Sequence, residues 1–536
     1  MIETPVLIVG GGPVGLALAA DLGWRGVGCM LAEQGDGRII TPKMNEVNVR
    51  TMEFCRRWGI ADAVHACPFP GDYPLDVVFV TTLAGHELAR MRRPPRMLQR
   101  VSAQANSPMQ LQACSQMWFD PILQRFAGAF PHVTLGYGWR LESFIDEGDS
   151  VVAQVANRDT GGNETVRCRY LVGCDGAGSM VRQRLGIGLE GAGTLGHPVH
   201  LYFRAPGLLE QCGRVPGTFF LAIDREGLWA NIRVVDPANA MWRLMVLDSD
   251  GTLTPDKVDR EGLLRRAMGR KVEVEWLGTS IWTRRRLVAE RYGLGRVFLA
   301  GDAVHQLSPT GALGMNTGIG DAIDLGWKIA ACLQGWGGPV LLDSYDAERR
   351  PIGHRNVGMA TEFYLAHEAF QSGLGAIEDD TPAGTAARAQ IGAQLETSIG
   401  AMFRTEGLQL GYAYEGSPIC VPDGSAAEPD RADRYVPSSR AGGRAPHAAL
   451  EDGRSTLDLF GRCFTLLSVG GADVASIVSA ANSRHLPLDV HTLGEAAVIA
   501  AYGRGLFLVR PDGHVAWRGR QAPDDVIGLI DTVRGA

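Results

Sequence analysis

The apolar positions of this chain gather into short runs that glycine interrupts. Val6 to Val9 is an unbroken apolar run, the pattern of a strand covered on both faces, and Val27 to Ala32 is a second. An Ala/Leu-rich segment of helical texture separates them, so residues 6–33 predict strand, turn, helix and strand. Arg296 to Ala300 repeats the buried-strand pattern far downstream. From roughly 190 to 285 the texture changes to HPVHLYFRAP, GTFFLAIDREGLWANIRVV and MWRLMVLD, short runs divided by Gly, Pro and Asp that predict an antiparallel sheet. Beyond about 370 an Ala/Gly/Gln-rich helical stretch leads into a Pro/Asp/Ser/Arg-rich connector near 422–446, read as an extended linker. CFTLLSV then predicts a strand, an Ala/Val/Ser-rich segment a helix, and GLFLVRPDGHVAWRG a hairpin turning on Pro511-Asp512-Gly513.

The first glycine interruption carries chemistry. Gly10, Gly12 and Gly15 stand in G-x-G-x-x-G spacing where the first strand meets the helix. Gly10 is expected to make the tight turn, Gly12 to admit a pyrophosphate close to the backbone, and Gly15 to let the helix pack on the strand. Phosphates then meet the free N–H groups of a helix N-terminus. Glu33 closes the second apolar run, about twenty residues on, where a carboxylate accepts hydrogen bonds from an adenosine ribose. An ADP-containing cofactor is the expectation.

The second stretch, GRVFLAGDAVHQLSPTGALGMNTGIGDA from Gly295, places Gly301-Asp302 at the carboxyl end of a strand, where open α/β sheets bind ligands. With it the chain resembles the FAD-dependent aromatic hydroxylases, the single-component flavoprotein monooxygenases that include p-hydroxybenzoate hydroxylase, and among them the longer members acting on phenols, phenylpropionates and aromatic polyketides. The resemblance implies that Asp302 binds the ribityl chain of FAD and that Gly314, Met315 and Asn316 pass the flavin pyrimidine edge. A helix N-terminus there would stabilise the negative charge of a reduced flavin. RYLVGCDGAGSMVR from Arg169 resembles the family's internal Asp-Gly motif, which gives Asp175 a place near the FAD pyrophosphate and in NAD(P)H binding. CSQMWFDPIL resembles the segment in which a glutamine, here Gln116, approaches the flavin. TPKMNEVNVRTMEFCRRWGI departs from the family by carrying Lys43 where arginine is usual, a contact that Lys43 either weakens or leaves to Arg50.

The fold class expected is α/β: a Rossmann-like FAD-binding domain, discontinuous over 1–190 and 286–370, with an inserted antiparallel β-sheet substrate domain over 191–285. A helical segment and linker over 371–430 and a thioredoxin-like C-terminal domain over 431–536 complete it. That last domain lacks C-x-x-C, so a structural or subunit-contact role is expected of it rather than redox exchange. Tyr202, Phe203, Phe219, Phe220 and Trp229 are candidates to line a substrate cavity, weighed against plain packing of a sheet face.

Composition narrows the partners. A net charge of -7 without a basic stripe excludes nucleic acid as an expected partner. Ten cysteines without metal-like spacing favour reduced thiols in the cytoplasm and no metal site. Neither a signal peptide nor a membrane span is expected.

What the resemblance implies is hydroxylation of a phenolic or other hydroxylated aromatic with NADPH or NADH and O2, through a C4a-hydroperoxyflavin. The cofactor carries the hard chemistry. His305 and Pro309 are expected near the flavin, and His305 has a pKa suited to moving a proton, about 6.5 unperturbed, although a structural role is favoured. Alternatives are a Baeyer–Villiger, polyketide or heteroaromatic oxygenase with the same flavin chemistry, or a flavin-binding module without oxygenase activity. A homodimer is expected from the family and the added tail.

Overall fold

A computed structural model describes residues 1–98, 106–247, 251–368 and 374–536. The boundary expected at 370/371 lies outside the described residues.

Five parallel strands form the heart of the first sheet, in the order Val297–Leu299, Asn163–Gly173, Ile2–Val9, Cys29–Glu33 and Val133–Tyr137. Their register aligns the carboxyl ends, with Val9 opposite both Ala32 and Gly173, and Gly173 opposite Leu299. The turns after three separated stretches of sequence therefore emerge side by side on one edge. Helix Pro13–Trp24 and the long helix Gly314–Leu333 pack together on this sheet, and most of their residues are buried. The first helix is apolar on nearly every side, which suits a position beneath other elements rather than at the surface.

The second sheet has seven strands, ordered Glu275–Ile281, Val199–Arg204, Met241–Val246, Gly227–Asp236, Phe219–Asp224, Val77–Val80 and Glu87–Met91. The last two belong to the stretch 1–190 assigned by sequence to the FAD-binding domain, and the structure places them in the roof instead. The reason lies in pairing: Val77–Val80 lies parallel to Phe219–Ala222, and all four of its residues are buried. Helix Arg260–Met268 covers one face of this sheet, where Trp276 donates to Glu261 and packs edge-on against Phe203.

In the C-terminal region the strands Leu488–Leu493, Phe464–Val469, Gly505–Val509 and Val515–Gly519 form a four-stranded sheet in that order. The first pair is parallel and the other two antiparallel, with helices Ala475–Ser483, Ala496–Tyr502 and Val526–Val533 alongside. Phe464 meets Trp327 and Trp336 edge-on at 6.0 and 6.2 Å, so this region shares apolar core with the long helix.

Candidate active site

The glycines of the first turn have separable roles. Gly10 sits at φ 107°, and a Cβ there would strike the Cys174 carbonyl oxygen at 2.3 Å. A Cβ on Gly15 would lie 2.0 Å from the Gly10 carbonyl oxygen, so the helix approaches the strand as only glycine allows. Gly12 is the N-cap of helix Pro13–Trp24, and a Cβ there would meet nothing within 4 Å. That helix has no side-chain cap and no acid in its first turn. Its N-terminus thus offers amides and positive dipole to open space. Glu33 is tied to the same turn, its Oε2 accepting from Gly11 N–H and its Oε1 from Gly35 N–H, each at 2.6 Å.

The two aspartates lie on neighbouring turns. Asp175 Oδ2 accepts from Val181 N–H at 3.0 Å, while its Oδ1 is buried without a partner. Arg182 bridges the turns, donating from Nη1 to the Ala303 carbonyl at 2.9 Å. Asp302 is itself exposed, yet protein crowds around its carboxylate, as on the wall of a deep groove. That crowding raises its carboxyl above the usual range, against the opposing pull of His305 and Lys43. Gly301 at φ 66° and Gly318 both press on Val14, packing the first helix, the Gly-Asp turn and the long helix together.

The approach to the long helix is backbone-strained. Ala312 has φ 55°, a left-handed conformation that costs a non-glycine residue on the order of 1 kcal/mol or more, and Gly311 before it has φ 83°. Asn316 turns its side chain inward: Oδ1 accepts from Asn48 N–H and the Thr51 hydroxyl, and Nδ2 donates to the Ala312 carbonyl at 2.9 Å. Gly314 and Met315 begin the helix, which has no side-chain cap. Gln116 is similarly engaged, accepting from Lys43 N–H and donating to Asp120, both at 3.0 Å. Lys43 is exposed, with its side chain near Asp302. Arg50 is committed elsewhere, to Glu53 at 2.8 Å and the Asp512 carbonyl at 2.9 Å, so it does not stand in for the usual arginine.

His305 is fully buried and holds Asp321 Oδ2 at 2.7 Å. Arg349 donates to the other Asp321 oxygen at 2.8 Å, and Gly301 N–H to the first at 3.1 Å. Burial pushes the Asp321 carboxyl up, and His305 and Arg349 outweigh it, holding it below the usual range. This arrangement fixes the Gly-Asp turn to the long helix and leaves His305 away from solvent. Pro309 is exposed on the loop that leads to Ala312.

Above the groove the roof sheet turns one particular face downward. Tyr202 donates its hydroxyl to the Pro42 carbonyl at 2.7 Å, and Arg233 donates to Glu46 at 2.8 Å. Glu46 also offers its carbonyl to Asn316 at 3.4 Å. Strand register puts Phe219, Arg233, Arg243 and Tyr202 in one row across four strands on this face. Phe220, expected at the cavity, falls in the row with Ile232, Leu244 and Leu201, whose parity matches Phe203 on the opposite face. Trp229 carries Arg266 of the covering helix over its ring at 4.1 Å, so it too lies on the outer side. Strand alternation accounts for Phe220 and Phe203, and the bulge at Ala222/Ile223, which leaves Trp229 as an extra unpaired residue, accounts for Trp229.

Comparison with known proteins now decides the family. A family model described as an FAD binding domain matches residues 3–360, and one described as the C-terminal part of aromatic-ring hydroxylases matches residues 438–535. The chain is an FAD-dependent aromatic-ring hydroxylase. It is 32% identical to 4-methyl-5-nitrocatechol 5-monooxygenase of Burkholderia sp., over 99% of this chain and 97% of that one. A solved structure of RebC, soaked with chromopyrrolic acid and holding 7-carboxy-K252c, superposes with a TM-score of 0.91 at 39% identity, over 100% of this chain and 99% of that chain. The flavin-dependent monooxygenase PieE, in complex with FAD and substrate, superposes with a TM-score of 0.88 at 32% identity, again over 100% and 99%.

FAD fits the groove of this hydroxylase on the structure's own terms. An orphaned Asp175 oxygen, an uncapped helix N-terminus beside Gly12 and the groove-wall Asp302 all present unmet polar capacity along one sheet edge. Three residues escaped the sequence reading: Gly11, the amide that orients Glu33, and Arg233 and Arg243 on the roof. For Gly11 a signal was present in its place as the middle of three consecutive glycines, since a Cβ there would lie 2.7 Å from Glu33 Cβ. No group of three or more potential metal ligands exists among the described residues. No helix among them is long and apolar enough to cross a membrane.

Proposed function

We propose that this hydroxylase inserts one oxygen atom from O2 into a hydroxylated aromatic ring held between the flavin groove and the Tyr202 face of the roof, with NADPH or NADH as electron donor. The reading rests on one arrangement: the three cofactor turns open at a single sheet edge beneath that face. When bound, FAD supplies the reduction of oxygen and the transfer of its atom.

The chain's own residues do the rest. The amides after Gly12 and the carboxylates of Glu33, Asp175 and Asp302 bind the adenosine, pyrophosphate and ribityl portions. The start of helix Gly314–Leu333 places partial positive charge beside Met315 and Asn316, where the flavin's pyrimidine edge gains electron density. The roof excludes water and orients the ring. His305 acts by positioning the Gly-Asp turn through Asp321. We assign the chain to the cytoplasm and to a homodimer, the latter tested by light scattering on the eluting protein.

The deciding experiment is anaerobic reduction of the flavoprotein by NADPH and by NADH with a panel of phenols, followed by mixing with isotope-labelled oxygen. Aromatic-dependent acceleration of reduction and one labelled atom on the ring is the expected result. A labelled atom inserted beside a ketone supports the Baeyer–Villiger alternative. Absence of any aromatic-dependent oxidation supports a binding module.

A further inference from the structure

Cys67 and Cys114 stand apart from the other thiols of the chain. All ten cysteines are free. The other nine thiols are pushed up from their ordinary value, and Cys67 alone is held below it, by a hydrogen bond from the Cys114 thiol, with burial opposing and the Phe69 amide and Arg96 guanidinium assisting. The same bond, and then burial, pushes the Cys114 thiol up. The two divide the roles of nucleophilic thiolate and proton-bearing thiol. Cys67 also donates to the carbonyl of Ala113, the residue before Cys114, at 3.4 Å, and Arg96 is anchored nearby by donating to the His65 carbonyl. Cys67 keeps 6% exposure and Cys114 none.

Cys114 stands at a junction that bears on the cofactor. Strand Gln112–Ala113 ends just before it, and helix Gln116–Gly128 begins two residues later. Cys114 N–H donates to the Asn45 carbonyl at 3.1 Å and Gln116 N–H to the Met44 carbonyl at 3.0 Å, so these two bonds seat the helix start beside Lys43. Ser115, the N-cap, adds no side-chain cap, and its Oγ is buried without a partner.

We propose that Cys67 and Cys114 are a modification site for hydrogen peroxide, a dithiol that closes to a disulfide and unseats Gln116 from the flavin groove. Peroxide is what reduced flavin and O2 yield when no ring takes up the oxygen. The Cys67 thiolate attacks one peroxide oxygen, the O–O bond breaks, hydroxide leaves, and Cys67 becomes a sulfenic acid, oxidised by two electrons. The sulfur of Cys114 then forms the S–S bond as the S–OH bond of Cys67 breaks, and its proton leaves with that hydroxyl as water. In sum, two thiols and one peroxide become a disulfide and two waters. Sulfurs in a disulfide stand about 2.05 Å apart, well inside hydrogen-bond separation. Closure therefore draws Cys114 toward Cys67 and strains the two backbone bonds that seat Gln116. Turnover that loses its electrons to peroxide thereby disables its own cofactor seat. This effect on flavin rests on the place given to Gln116 in the hydroxylase reading.

The test exposes the oxidised holoenzyme, purified under reductant, to hydrogen peroxide without NADPH or NADH. Unreduced digests are mapped by mass, and flavin release on dilution is followed by fluorescence. The expected result is a linked pair of peptides containing Cys67 and Cys114, lighter by the hydrogens of both thiols, with flavin release faster by about tenfold, the scale of one lost hydrogen bond, and both changes reversed by dithiothreitol. Cys67→Ser and Cys114→Ala are each expected to release flavin at the same rate with and without peroxide. Where a variant fails to fold, the wild-type map decides: linkage of Cys67 to another cysteine, or Cys67 driven to sulfinic acid beside an unmodified Cys114, overturns the proposal. So does a peroxide-accelerated release that survives in Cys67→Ser. A link between Cys67 and Cys114 with unchanged flavin release also overturns the switch, and Gln116→Ala then locates the fault. Unchanged release in Gln116→Ala refutes the seat given to Gln116, and accelerated release there refutes the coupling of the disulfide to it.

Discussion

Arg510 of the C-terminal region places its Nη2 2.9 Å from Asp324 Oδ1, on the helix whose first turn faces the flavin groove. The same guanidinium donates to Glu348 at 2.9 Å and to Asp512 at 2.7 Å, and Lys328 completes the cluster with bonds to Asp324 at 2.7 Å and Glu348 at 2.6 Å. Arg510 and Lys328 are both wholly buried. A tail without C-x-x-C thus acts as a clamp on the cofactor helix. Removing one partner from such a cluster leaves buried carboxylates unpaired, a loss of about 3–5 kcal/mol. Arg510→Met is expected to lower the denaturant midpoint accordingly, and Arg510→Lys to recover only part, because a point charge cannot span three carboxylates. Wild-type stability in Arg510→Met would show the cluster to be dispensable.

The contrast between Gly12 and Gly15 separates folding from binding. A side chain at Gly12 enters open space, whereas one at Gly15 collides with backbone at 2.0 Å. Gly12→Leu is expected to fold with a wild-type circular dichroism spectrum while losing flavin, since its side chain fills the space that the pyrophosphate approaches. Gly15→Leu is expected to lose stability, about 3 kcal/mol or more from overpacking against an immovable carbonyl. Equal flavin content in Gly12→Leu and wild type would place the pyrophosphate elsewhere.

How much of this was legible depends on whether a feature leaves a local mark. Gly10, Gly12, Gly15 and Glu33 do, because turn, helix start and strand end follow one another within a few dozen residues. Asp175 and Asp302 were legible as acids ending strands, and the sheet register brings their turns together. The roof face was not. All six residues of Phe219–Asp224 are buried, so no polar alternation distinguishes the side of Phe219 from that of Phe220. The clamp was illegible for another reason. Arg510 pairs with Asp324 across 186 positions, and no spacing rule connects them.

Asp302 is exposed, and among the described residues no cation lies within ion-pair distance of its carboxylate, so its loss is felt by the ligand rather than by the fold. Asp302→Ala is expected to remain folded and to bind FAD about 10- to 100-fold more weakly, the scale of a charge-assisted hydrogen bond. The ratio of flavin to protein absorbance after purification reads this directly. Wild-type occupancy would refute the ribityl contact.

Asp120 gives the chain a titration with a definite sign. It stands one helical turn after Gln116, accepts from that amide at 3.0 Å, and is 1% exposed with its Oδ1 unpartnered. Burial pushes its carboxyl up to about 7, with the Gln116 hydrogen bond opposing. Unfolded, the same group titrates near 3.9. Below that value both states are protonated and the group costs nothing. As pH rises toward 7 the unfolded chain releases this proton and the folded chain keeps it, so stability falls across that window and levels off above it. The total is of the order of 4 kcal/mol. Asp120→Asn keeps an acceptor for Gln116 and has no proton to lose. Its denaturant midpoint is expected to match wild type near pH 4 and to exceed it increasingly up to pH 7. Parallel curves for the two proteins across that range would show that Asp120 ionises freely in the folded chain.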